Sequence, residues 1–105
     1  MTADVRDDEP VAPALIQQAL TAGEFEFEDG ATQTFEADGG TTYVEHGRRT
    51  QGEWFVDDDG HFGSFWPPRY RARYDLRWFV EDGVLVGLRF VEVGRGTRFN
   101  GRYRK

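Results

Sequence analysis

Arg69-Tyr70-Arg71-Ala72-Arg73-Tyr74-Asp75-Leu76-Arg77-Trp78-Phe79-Val80 alternates from end to end. Tyr70, Ala72, Tyr74, Leu76, Trp78 and Val80 fall on one side; Arg69, Arg71, Arg73, Asp75, Arg77 and Phe79 fall on the other. Side chains of a strand point to opposite faces with period two, so this segment reads as a β-strand with one apolar and one basic face. It is long for a strand and rich in residues that suit a pleated surface, which predicts a strongly curved sheet or barrel.

The same alternation extends upstream and downstream between turn signals. Glu24-Phe25-Glu26-Phe27-Glu28 sets two Phe against three Glu, and Asp29-Gly30 turns the chain into a second strand, Thr32 to Asp38. A third runs from Thr41 to His46, a fourth from Gln51 to Asp57 and a fifth from His61 to Trp66. After Pro67-Pro68 comes the long sixth strand; Asp82-Gly83 leads to a seventh (Val84 to Val93) and Gly94-Arg95-Gly96 to an eighth (Thr97 to Tyr103). The predicted fold is mainly β: an antiparallel up-and-down meander whose eight strands close into a small barrel, since closure removes both exposed edges. Charge supports this. Glu24, Glu26 and Glu28 on the first strand would face Arg98, Arg102 and Arg104 on the last, each opposite-sign pair contributing about 0.2–1 kcal/mol.

Pro13 at a helix start, helix formers from Ala14 to Ala22 and Gly23 at the end predict one short helix capping the barrel with Leu15, Ile16 and Leu20. Residues 1–12 are acidic and aperiodic and read as a disordered tail, leaving 13–105 as the single domain.

Composition narrows the function. The chain has 105 residues, 15% aromatic, and no cysteine, which excludes disulfides, thiolate metal sites and thiol chemistry and suits the cytoplasm. Its acidic start is unlike a basic export leader, and no apolar run is long enough to span a bilayer, so no membrane association is expected. A net charge of −6 argues against nucleic acid as a partner. That average hides a division: residues 1–68 carry 3 basic and 15 acidic groups, and residues 69–105 carry 10 basic and 4 acidic, so the halves attract.

The aromatic set offers the leading site. Trp54, Trp66, Tyr70, Tyr74 and Trp78 would line an interior that holds a small, partly apolar ligand, although a narrow barrel of eight short strands is more often filled by its own side chains. Glu92 shares its register with Val84, Val86, Leu88 and Phe90 and, pointing inward, would be an acid or base; His61, like His46, sits beside a turn where simple solvation is the commoner state. Those two groups define the alternative of a small barrel enzyme of cyclase or isomerase type. The Arg row of the sixth strand, with Arg89, suits an acidic partner or a homodimer contact, but is more simply matched by carboxylates of the same chain. Asp57-Asp58-Asp59-Gly60 lacks the downstream Glu of a calcium loop and reads as a hairpin turn. No phosphate loop or serine-nucleophile motif occurs, and neither a cofactor nor a metal is expected.

In Gly52-Glu53-Trp54-Phe55-Val56-Asp57, then Asp59-Gly60-His61-Phe62-Gly63-Ser64-Phe65-Trp66 and Tyr74-Asp75-Leu76, the chain resembles small bacterial proteins of lipocalin-like, calycin-type appearance. The resemblance spans about residues 14–103 and implies a short helix leading into a β-meander; that group offers no established activity to carry over. Gly63 and Ala72 stand where such proteins often carry a cysteine pair, so no disulfide role transfers. The Gly-x-Trp of true lipocalins belongs on the first strand, whereas Gly52-Glu53-Trp54 falls on the fourth.

Overall fold

Short turns set the topology of the computed structural model, which describes residues 4–104. His46-Gly47 and Asp82-Gly83 both have positive φ at both positions (50° and 76°, 51° and 77°), the two-residue turns whose twist matches flanking antiparallel strands. Eight strands result: β1 (Phe25–Phe27), β2 (Thr32–Phe35), β3 (Gly40–Glu45), β4 (Arg48–Val56), β5 (Phe62–Trp66), β6 (Tyr70–Glu81), β7 (Val84–Glu92) and β8 (Arg98–Tyr103). Each pairs with the next, and β1 pairs with β8 through Phe25 opposite Tyr103, Glu26 opposite Arg102 and Phe27 opposite Gly101, closing the barrel. The up-and-down meander read from the sequence is the fold.

The seam closes with different ionic partners from those expected. Only Arg104 meets its carboxylate, Glu24, at 3.1 Å. Arg102 turns to Glu81 (2.8 Å, Nη1 to Oε1), Arg98 binds Asp8 (2.8 Å), and Glu28 accepts a hydrogen bond from the Asn100 side chain (2.8 Å). Long Arg side chains reach past their cross-strand neighbour to whichever carboxylate offers a bidentate geometry.

A single 3₁₀ turn (Pro13–Leu15) runs into α1 (Ile16–Thr21), which closes one end of the barrel with Ile16, Ala19 and Leu20. Leu15, expected to join them, is on the 3₁₀ turn and 42% exposed. The Tyr103 hydroxyl donates to the Ala19 carbonyl (2.7 Å) and ties this plug to β8. Below it, Phe25, Phe35, Phe62 and Phe90 pack with ring centroids 5.4–6.1 Å apart, arrangements worth about 0.5–1.5 kcal/mol each beyond burial.

Residues 4–12, read from the sequence as part of a disordered tail, have a defined place; Met1, Thr2 and Ala3 lie outside the described residues. The cause is an unpaired edge. β5 is short and pairs only with Tyr70 to Tyr74 of β6, so the backbone groups beyond it need partners. The N-terminal segment supplies them: Asp8 N–H donates to Trp78 O (2.8 Å), Trp78 N–H to Glu9 O (2.9 Å), and Val11 N–H to Leu76 O (2.9 Å). Val11 joins the core at 5% exposure. Asp7 accepts the Val80 N–H (2.9 Å) and binds Arg89 (2.9 Å).

A bulge between Phe79 and Val80 shifts the register against β7. Trp78 lies opposite Leu88, yet Val80 lies opposite Leu85, so Leu85 rather than Val86 packs on the core, and Val84 is exposed. The uniform inward row from Val84 to Glu92 is thereby broken. Phe79, on the basic face of β6, is buried beneath the Arg89 and Arg102 guanidiniums, 4.1 and 4.8 Å from its ring centre.

Candidate functional site

The end of the barrel away from α1 is open. β1 and β2 deliver Phe27 and Gln33, β3 delivers Tyr43, β5 delivers Ser64 and Trp66, and β6 to β8 deliver Tyr74, Phe90 and Phe99 around a cavity of about 480 Å³. These are alternate residues of their strands, turned inward by the pleat. Phe62 and Phe90 belong to both the packed core and the cavity lining, so they form its floor. The rings meet at steep angles: Tyr43 and Trp66 are 6.3 Å apart at 70°, Tyr74 and Phe99 6.3 Å apart at 75°.

Polar groups are few. Gln33 donates to the Thr41 hydroxyl (3.0 Å), which itself donates to Thr34 O (2.7 Å). Ser64 is buried, and its hydroxyl has no hydrogen bond to another described residue. Burial, followed by the charges of Tyr70 and Glu92, pushes the Tyr74 phenol up to about 12. Tyr43 is also pushed up, by burial first and then by Glu45 and Asp29. At the mouth stand Glu28, Asp29, Arg98 and Asn100.

Of the five residues expected to hold a ligand, Trp66 and Tyr74 line this cavity. Trp54 and Trp78 are buried near the closed end, Trp54 with its Nε1–H donating to Glu36 O (2.9 Å), and Tyr70 is 54% exposed. Strand parity identified inward faces, but which end of the barrel stays open depends on where α1 docks. Phe27, Gln33, Tyr43 and Ser64 were missed for the same reason, and Gln33 and Ser64 also because small or polar residues carry no apolar signal.

The two expected acid–base groups do not line the cavity. Glu92 is half-buried at the end of β7, while His61 lies beside Arg73 (Nδ1 to Nη2, 3.1 Å) and Asp57 (3.9 Å). Asp57, Asp59 and His61 are close enough to share a cation, but Arg73 fills that position, 2.8 Å from Asp57 and 3.5 Å from Asp59. The His61 N–H of the backbone, ahead of Arg73, holds the Asp57 carboxyl below its usual value. Along the rest of the Arg row, Arg77 pairs with Asp75 (2.9 Å) and Arg71 stacks over Phe65 (4.5 Å), so these side chains do not converge on a cleft.

No protein-family model, curated protein or solved structure matches this chain. No helix among the described residues is long and apolar enough to cross a membrane.

Proposed function

We propose that the protein is a small-molecule-binding barrel of lipocalin-like kind, acting in the cytoplasm, whose open end takes a partly apolar ligand. The observation that carries this reading is the cavity itself: its volume falls in the range of ligand sites, about 300–1,000 Å³, and it combines an aromatic wall with a few placed polar groups. Binding rather than turnover is favoured because the titratable groups deep in the cavity are phenols, protonated at neutral pH and poor proton carriers there, while the carboxylates Glu28 and Asp29 stand at its mouth.

Titration with the neutral fluorescent probe N-phenyl-1-naphthylamine tests it. Saturable binding is expected, and Ser64→Leu, which adds bulk to the cavity wall, should weaken it by about tenfold or more while the protein still melts cooperatively. Trp54→Phe, away from the cavity, should lower stability without changing affinity. Absence of saturable binding by the wild type, or equal affinity in Ser64→Leu, removes the proposal.

A further inference from the structure

The charge around the mouth specifies the ligand further. Among the described residues Arg98 is the only basic one lining the cavity, and both its terminal nitrogens are taken by Asp8, at 2.8 and 3.4 Å. The two acidic lining residues have only neutral hydrogen-bond donors. Glu28 accepts from the neutral Asn100 amide (2.8 Å), and Asp29 accepts from the Ala31 backbone N–H (3.0 Å); neither has a salt-bridge partner among the described residues. With Arg98 held by Asp8 and Arg102 by Glu81, Glu28 and Asp29 are the carboxylates of the rim that no guanidinium contacts directly among the described residues. Inside, Phe27, Tyr43, Trp66, Tyr74 and Phe99 provide π surface on several sides. Such faces attract cations and repel anions.

Resting on the container reading above, we infer that the ligand is an apolar cation, an alkylated or quaternary ammonium whose hydrocarbon body enters toward Phe62 and Phe90 while its charge stays near Glu28 and Asp29. A weakly hydrated ammonium of this kind loses little on leaving water, whereas a primary ammonium or a carboxylate would need hydrogen-bond partners that the aromatic wall lacks. Burial first raises both cavity phenols, and the smaller charge effects add in the same direction, from Glu45 and Asp29 on Tyr43 and from Tyr70 and Glu92 on Tyr74.

Three probes of similar shape decide it, each displacing bound N-phenyl-1-naphthylamine: phenyltrimethylammonium, neutral tert-butylbenzene and anionic benzenesulfonate. The cation should displace the dye at about a tenfold lower concentration than the neutral compound, and the anion should be the weakest. In Glu28→Gln/Asp29→Asn, which keeps both acceptor oxygens, that preference should fall to about twofold or less with the neutral compound unaffected. The two single variants should each reduce it in part, and added salt should weaken the cation alone. If tert-butylbenzene competes as well as the cation, or the preference survives in the variants, the charge assignment is overturned and the container reading stands. If neither the dye nor any probe binds, both are overturned together.

Discussion

Gly52 shows how finely single residues set the cavity wall. It sits on the inner face of β4 opposite Thr41, and a Cβ there would lie 2.5 Å from the Trp66 ring and 2.7 Å from the Phe65 carbonyl oxygen. The ring can move but the carbonyl is held in the sheet, so Gly52→Ala should destabilise the protein by about 1–3 kcal/mol in urea unfolding and shift the Trp66 emission as the ring is displaced. Gly63 is the comparison. A Cβ there meets the Phe55 ring at 2.5 Å, but Phe55 is 39% exposed and free to swing away, so Gly63→Ala should cost under about 1 kcal/mol. A cost at Gly52 no greater than at Gly63 would contradict the close approach. The sequence marked both as glycines within strands, but nothing in strand parity distinguishes an inward contact with backbone from an outward contact with a mobile ring.

The N-terminal segment pairs along β6 through backbone groups that its side-chain pattern does not announce. Acidic, aperiodic residues carry the signature of disorder, yet a free strand edge rewards backbone pairing without regard to side-chain period. What the segment adds in side chains is Val11 to the core and Asp7 and Asp8 to Arg89 and Arg98. The Val80 N–H, then Arg89, hold the Asp7 carboxyl below its usual value of 3.8; Arg98 does the same for Asp8. A carboxyl lowered by folding favours the native state above its unfolded value, and that contribution is lost as pH falls through the lowered one. Acidification below 3.8 should therefore release this segment first. In hydrogen exchange, the Trp78 and Val80 amides, bonded to Glu9 and Asp7, should lose protection at a higher pH than the Leu88 amide between β7 and β8. Asp7→Asn/Asp8→Asn should open the same two amides at neutral pH. Simultaneous loss of protection at all three would mean that the segment is no separate unit.

Across the whole molecule, the charge division of the sequence is expressed as contacts: Arg73 to Asp57, Arg89 to Asp7, Arg98 to Asp8 and Arg104 to Glu24 each join the basic second half to the acidic first. The eight strands, their order and closure were legible because hairpin turns and period-two alternation are local signals, and antiparallel neighbours follow from short loops. Ion-pair partners were not, because flexible Arg side chains choose among several carboxylates only after the sheet has curved. Closure itself depends on backbone pairing between β1 and β8, which makes it testable apart from any charge. Glu26 and Arg102 face each other across that seam, and the chain has no other thiol to compete. Glu26→Cys/Arg102→Cys should oxidise spontaneously to an intramolecular disulfide, seen by mass as the loss of two hydrogens, and raise stability by about 2 kcal/mol or more over its reduced form. The reduced form also separates the contributions: if it melts near the wild type, the outward Glu26 and Arg102 charges contribute little to closure, as expected for an Arg whose carboxylate partner is Glu81. Failure of the two thiols to join under oxidising conditions would mean that the first and last strands are not neighbours, and with an open sheet there would be no cavity for Phe27, Tyr43 and Phe99 to share.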